Sequence, residues 1–288
     1  MNYSALIQNR KSVREFSYKN VSFETMDQIK AYHNKSVRRL LPELKTELRL
    51  IGLDARAVLE GAAGYKNFLI GSPQYMVLLS DKHPHAGMNA GFIMEDLILK
   101  LADMGLDSCW LTFTDSEHVK TALEIDSELE VAAMIAFGHG EKTTKRLRLN
   151  VQSMSNVDVS AQRQYFQPKV SIDNLVFMDS WGNRNGVDEY IGFYDDMLWE
   201  AFYAVSLSPS YLNRQPYGFV IHDGRIILVE KPDSYTGAID SKLGLGIALL
   251  HFTGVASQWA GNISWRFEED ASALQLPEGY AAVASCAL

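Results

Sequence analysis

Cysteine is scarce in this chain of 288 residues: Cys109 and Cys286 are the only two. Two thiols cannot build the disulfide framework of a small secreted scaffold, and their rarity suits a reducing compartment. A basic excess is missing too. The 27 Lys and Arg face 35 Asp and Glu, and the net charge of −8 argues against a nucleic-acid partner. No apolar run approaches the roughly 18 residues of a membrane span. The opening MNYSALIQNRKS lacks the apolar core of a secretion signal. These absences lead us to expect a cytoplasmic protein whose partner is a small molecule, with no nucleic acid and no membrane.

What is present has a globular composition, 47% apolar and 22% charged, over a length that suits one large domain or two ordinary ones. Residues 3–9 read as a short helix. Ser22 and Thr25 open a second helix as a cap pair, with Met26 and Ile29 at helical spacing. Leu44, Leu48 and Leu50 alternate with polar residues and favour a strand. QYMVLLSD reads as a buried strand, and NAGFIMEDLILKLADMGLDSCWLTF as a long helix closed by Gly105, then a strand. EHVKTALEI reads as a short helix and LEVAAMIAFGHG as a buried strand. EKTTKRLRL reads as a basic surface loop, and the polar residues 150–172 as a linker. The second half offers a helix over YDDMLWEAFYAVSL and a hairpin turning at Asp223–Gly224. A helix over SKLGLGIALLHFTGVASQWA and a strand near ISWRFEE follow. Gly91 and Gly246 stand equally far before Trp110 and Trp265, a faint internal echo.

Two stretches carry the chemistry. RKSVREF places Arg10, Lys11, Ser12 and Arg14 together, the donor set that satisfies a phosphate monoester. By itself it equally describes a solvated helix end. SPSYLNRQPYGFV, residues 208–220, follows a helix and precedes a strand, and Pro216 forbids helix there. Its Ser210, Asn213, Arg214 and Gln215 suit the polar edge of a flat heterocycle, or an ordinary polar loop.

Taken together, the stretches resemble the FMN-dependent nitroreductase family. RKSVREF resembles its Arg–x–Ser–x–Arg–x–Phe opening, and SPSYLNRQPYGFV its Pro–Ser–x–x–Asn–x–Gln–Pro–aromatic loop. LADMGLDSCWLTF and MIAFGHG resemble the family's flavin-side helix–strand segment and its final core strand. In the family both signatures sit near the start of one subunit, and the flavin lies at a dimer interface. Here they stand at residues 10 and 210. The first half has no such loop, DARAVLEGAAGYKNFLIGSP standing before its strand instead.

The resemblance implies an α+β fold of two tandem halves, 1–155 and 156–288. Each would have a mixed or antiparallel sheet flanked by helices, joined as an internal pseudo-dimer with one FMN site. It implies a monomer or a further homodimer. Arg10, Lys11, Ser12 and Arg14 would hold the phosphate, with Arg146 from the basic tail Lys145, Arg146, Arg148 as a further cation. Pro209, Ser210 and Tyr211 would lie along the ring, Asn213 would bond the pyrimidine or ribityl region, and Gln215 would orient Asn213 or line the substrate face. Thr112 and Phe113 would present backbone N–H to flavin N5.

The implied activity is an FMN-dependent NAD(P)H oxidoreductase working by ping-pong hydride transfer, with NADH or NADPH as co-substrate and a nitroaromatic, quinone or related acceptor. The flavin would carry the chemistry and no side chain would be catalytic. The alternatives are a flavin carrier or sensor, and a structural protein that lost the site. Bland readings suit the rest: His83 to His85 as a loop without a metal, Cys109 and His251 as core, Trp181 with GNRNG as a turn, and the glycines of GLGIA as packing points against the sheet or the ligand.

Overall fold

The computed structural model describes residues 1–52, 55–64, 68–141, 146–153, 156–162, 169–192, 197–267 and 271–287, with only the backbone described within 146–162. Helices α1 (Tyr3–Asn9) and α2 (Phe23–Lys35) lead into strand β1 (Thr46–Ile51), helix α3 (Ala55–Leu59) and strand β2 (Gln74–Ser80). Helix α4 (Ala86–Asp103), strand β3 (Asp107–Leu111), helix α5 (Ser116–Ala122) and strand β4 (Glu130–Gly138) complete a first sheet of order β1-β2-β4-β3, antiparallel throughout.

Strands β5 (Arg146–Ser153) and β6 (Asn156–Gln162) pair antiparallel as a separate ribbon. The second sheet comprises β7 (Val176–Met178), β8 (Tyr217–His222), β9 (Arg225–Glu230), β10 (Arg266–Phe267) and β11 (Ala281–Ala287), in the order β10-β11-β9-β8-β7. Helices α6 (Val187–Gly192), α7 (Met197–Ser206) and α8 (Ala238–Ala256) accompany it. The architecture is α+β, as expected.

Local chemistry places several ends. The Ser22 side chain accepts from Thr25 N–H and starts α2. At the end of α4, Leu106 N–H bonds Leu101 O and Gly105 N–H bonds Ala102 O, with Gly105 at φ +75°, a Schellman closure. Asp223 and Gly224 both take positive φ, 50° and 71°, as a two-residue hairpin turn requires.

The two sheets share one plan. Omitting β7, which pairs parallel to β8, the order β8-β9-β11-β10 repeats β1-β2-β4-β3 with every neighbour again antiparallel. Even an irregularity recurs: Ala132 is the extra residue where β4 pairs β2, and Val283 where β11 pairs β9. Between the sheets α4 packs on α8. A Cβ on Gly91 would overlap the Leu243 carbonyl, and a Cβ on Gly246 would overlap the Met88 carbonyl. Gly91 stands as far from Gly246 in sequence as Met88 does from Leu243, so the crossing is reciprocal. Of the GLGIA glycines, Gly246 is thus a packing point against α4, while a Cβ on Gly244 would meet nothing within 4 Å.

Two expectations change. The basic stretch EKTTKRLRL is not wholly a loop, because Arg146–Ser153 forms β5, and the proposed linker holds β6. The ladder uses backbone groups, so polar composition does not exclude it. DARAVLEGAAGYKNFLIGSP stands between β1 and β2, the place of the Asp223–Gly224 turn. The first-half counterpart of the 208–216 loop is therefore the segment before β1, residues 37–45.

Candidate functional site

Arg10 leaves α1 in extended conformation, and the chain then runs along the free edge of β3. Ser12 bridges Ser108 in parallel, and Val13 N–H bonds Ser108 O at 2.9 Å. This geometry turns the Arg10 side chain inward, where it is 8% exposed and pairs with Glu95 of α4, Nε to Oε1 3.4 Å. Glu95 is wholly buried. It accepts from Trp110 Nε1 at 2.8 Å and from His251 Nε2 of α8 at 3.1 Å. Burial alone would raise the Glu95 carboxyl. The Arg10 guanidinium, with His251 and Trp110, outweighs burial and holds it below the ordinary carboxylate value.

From His251 the network reaches the far end of the chain. His251 Nδ1 lies 3.0 Å from Ser208 Oγ and 2.9 Å from the Ala204 carbonyl, at the junction of α7 and the 208–216 loop. That loop holds Leu212, Asn213 and Gln215 at φ 47°, 58° and 45°, a left-handed region that non-glycine residues rarely adopt. Internal bonds maintain it: Gln215 N–H donates to Ser210 Oγ at 2.9 Å, and Gln215 Nε2 donates to Ser206 O at 2.7 Å. The segment before β7 clasps it from outside. Lys169 Nζ donates to Asn213 Oδ1 at 2.6 Å and to Ser208 O at 2.9 Å, and Val170 N–H donates to Gln215 Oε1 at 3.0 Å. Burial, reinforced by nearby Arg10 and opposed by Glu95, pushes the Lys169 ammonium down to about 8.

The structure therefore links Arg10, through buried Glu95 and His251, to Ser208 at the start of the half-buried Ser210–Asn213 loop, although 200 residues separate Arg10 from Ser210 in sequence. Ser12 lies beside it on the β3 edge, half-buried, while Lys11 and Arg14 are exposed. Pro209 is buried and Tyr211 half-buried. Gln215 is buried, and its amide ties the loop to Ser206 of α7 and to Val170 before β7. Phe113 packs its ring in the first sheet's core and pairs its backbone with Ala63, and the Thr112 carbonyl accepts from Gly64 N–H at 2.7 Å. Arg146 begins β5, and its side chain lies outside the described residues, as does all of Lys145.

Sequence reading passed over Glu95, Lys169 and Ser208, and treated His251 as core only. Two adjacent acids within the apolar run of α4, Glu95 and Asp96, were the available signal.

One observation tests whether these residues fit a phosphate-bearing cofactor. Arg10 Nη1 is buried without a hydrogen-bond partner among the described residues. A guanidinium fork with an orphaned, desolvated N–H fits an anionic oxygen. Cys109 and Cys286 are buried free thiols, raised by burial. Among the described residues no group of three His, Cys, Asp or Glu gathers as a metal site, and no helix is long and apolar enough to cross a membrane. A groove of about 450 Å³ lined by Lys19, Ser22, Thr25, Met104 and His139 lies at the start of α2 and does not include the cluster.

No curated protein matches the chain. A solved structure titled as a putative nitroreductase from Thermotoga maritima matches 99% of this chain and 93% of its own length, at TM-score 0.59 and 18% identity, and shows the same fold. A nitroreductase family protein from Clostridium novyi NT matches 49% of this chain and 87% of its own, at TM-score 0.43 and 17% identity. An FMN-dependent nitroreductase from Clostridium difficile matches 48% and 88%, at 0.40 and 18%. The family model described as "Putative TM nitroreductase" matches residues 2–173. That match spans more than half of the sequence, and the chain belongs to this nitroreductase family.

Proposed function

We propose that this protein is an FMN-dependent NAD(P)H oxidoreductase of nitroreductase type, with one flavin site built jointly by its two halves. The observation that carries the reading is the buried Arg10 Nη1, without a hydrogen-bond partner among the described residues, linked through Glu95 and His251 to a strained polar loop from the other end of the chain. FMN, when bound, supplies hydride transfer between a nicotinamide and an acceptor such as a nitroaromatic or quinone.

The chain's own residues bind and orient. Arg10 and Ser12 hold the phosphate, with Lys11 and Arg14 as exposed charges at its approach. Glu95 fixes the Arg10 fork from behind. Ser210, Tyr211 and Asn213 take the ring side, over buried Pro209, and Gln215 keeps their loop in shape. Their donors favour negative charge developing on the ring edge. The internal pairing of halves makes a monomer sufficient for one site.

The test is the visible absorption spectrum of the purified protein, identification of the released chromophore, and NADH and NADPH oxidation with a quinone. A yellow protein that releases FMN and turns over is the expected result. Arg10→Ala and Asn213→Ala should each lose flavin. A yellow protein inert to both nicotinamides would be a carrier, and a colourless protein that takes up no FMN would overturn the reading.

A further inference from the structure

We propose that His251 is a positioning residue of the flavin site with two separable arms. Its Nε2 keeps Arg10 free to meet the phosphate, and its Nδ1 fixes the start of the ring-side loop. This rests on the flavin reading and adds to it a residue of α8 that acts through its neighbours.

Each arm meets groups that accept. Nε2 lies 3.1 Å from Glu95 Oε1, and Nδ1 lies 2.9 Å from the Ala204 carbonyl and 3.0 Å from Ser208 Oγ. A carboxylate and a carbonyl only accept, so each nitrogen serves as a donor. His251, Glu95 and Ser208 are all fully buried, and bulk water does not replace a partner that is lost there.

The Nε2 arm decides what Arg10 can do. Glu95 Oε1 serves two donors, Arg10 Nε at 3.4 Å and His251 Nε2, while Oε2 is taken by Trp110 Nε1 at 2.8 Å. Arg10 is thereby gripped at Nε, and Nη1 is left without a hydrogen-bond partner among the described residues. Without the imidazole, Oε1 lacks a donor, and the buried carboxylate recruits the Arg10 fork instead. The N–H that suits a phosphate oxygen is then spent on Glu95.

The α4–α8 crossing gives the other arm its place. His251 follows Gly246 by five residues, as Asp96 follows Gly91. Each reaches from its helix to the loop of its own half: Asp96 Oδ2 accepts from Arg38 N–H, and His251 Nδ1 bonds Ser208 Oγ. Asp96 spends its remaining capacity on the Tyr3 and Tyr32 hydroxyls. His251 reaches across to the other helix, so one ring touches both shares of the site.

Fluorescence titration of the flavin-free chain with FMN and with riboflavin, which lacks the phosphate, separates the arms. By side-chain length an asparagine amide stands in for Nδ1 and a glutamine amide for Nε2. His251→Asn keeps the loop contact and drops Glu95, so the preference for FMN over riboflavin should fall by about tenfold. His251→Gln keeps Glu95 and drops the loop, so both flavins should weaken alike, by about fivefold, with the preference retained. A merely structural histidine would weaken both flavins in both variants and leave the preference alone. Should His251→Asn not fold, magnetic resonance of the wild-type imidazole nitrogens decides: FMN should shift Nε2 more than riboflavin does, and both should shift Nδ1. A preference unchanged in His251→Asn, an equal fall in His251→Gln, or equal Nε2 shifts with the two flavins overturns the proposal and leaves the flavin reading standing. A wild type that binds neither flavin removes both.

Discussion

The segments before β1 and before β8 hold equivalent places in the two sheets and are finished in opposite ways. Residues 37–45 are tied down by acceptors from α4. Asn89 Oδ1 accepts from Leu40 and Leu41 N–H, and Asp96 Oδ2 accepts from Arg38 N–H. Arg38 lies over the Tyr3 ring, and the hydroxyls of Tyr3 and Tyr32 donate to Asp96. Residues 208–216 are held instead by Lys169 and by their own Gln215, with Leu212, Asn213 and Gln215 left-handed, and connect through His251 and Glu95 to an arginine whose Nη1 has no hydrogen-bond partner among the described residues. Duplicating a sheet plan therefore need not duplicate a site. One copy has closed its loop with carboxylate and amide acceptors, and the other is clasped by a lysine.

Breaking the frame shared by both halves has the largest expected effect. Gly246→Leu forces a side chain into the Met88 carbonyl at the α4–α8 crossing, where backbone cannot yield as a flexible side chain would. A loss on the order of 4 kcal/mol or more is expected, read as failure to fold or a collapse of the denaturant midpoint. Gly91→Leu, its reciprocal partner against Leu243, should behave alike. Unequal effects would show that the crossing is less symmetric than the two overlaps indicate.

Adjacent acids on α4 sharpen the contrast through pH. Glu95 faces the Arg10 side with its carboxyl held low, so its contribution is present above the ordinary glutamate pKa and is lost as pH falls through the depressed value. Glu95→Gln leaves Arg10 unpaired and should cost about 3 kcal/mol near pH 7. Asp96 faces the closed loop, and burial raises its carboxyl despite hydrogen bonds from Tyr3, Arg38 and Tyr32. Its sign is opposite: stability is fullest below the ordinary aspartate pKa and declines as pH rises through the elevated folded value. Asp96→Asn should cost about 1 kcal/mol near pH 7 and remove that decline. Urea midpoints from pH 3 to 8 would separate the two.

Cofactor retention gives a third contrast. Arg10→Ala should weaken FMN by about 2 kcal/mol, roughly thirtyfold. Arg38→Ala, in the closed loop, should leave FMN affinity unchanged and lower stability by about 0.5–1 kcal/mol through its lost ring contact. Fluorescence titration with FMN reads both, and equal losses would mean that the first loop also faces the ligand.

What could be read from sequence was what neighbouring residues decide. The Ser22 cap, the Gly105 closure and the Asp223–Gly224 turn each follow from a few adjacent side chains, and each stands where expected. Strand β11, AAVASCA, escaped notice because alanine and serine carry little strand preference and its pairing is supplied by β9. Strands β5 and β6 do alternate, Leu147, Leu149 and Val151 in one and Val157, Val159 and Ala161 in the other, but the basic and polar residues between them read as loop and linker until the ladder pairs them. At the site, Arg10 and the 208–216 loop were legible as motifs. Their connection was not, because Glu95 meets His251, and Lys169 meets Asn213, across sequence distances that local patterns do not encode.

The smallest expected effect falls on Gly244, two residues from Gly246 on the same helix. Nothing lies within 4 Å of a Cβ built there. Gly244→Ala therefore adds a methyl without displacing backbone and removes the entropic cost of a helical glycine, so stability should rise by about 0.5–1 kcal/mol. FMN affinity should not change. The pair Gly244→Ala and Gly246→Leu then decides what the GLGIA glycines are for. If they exist to let α4 approach, only Gly246 resists substitution, and the resistance appears in stability alone. Loss of flavin from Gly244→Ala with the denaturant midpoint intact would mean instead that the helix presents its backbone to the ligand, and the division between a packing helix and a binding loop would have to be redrawn.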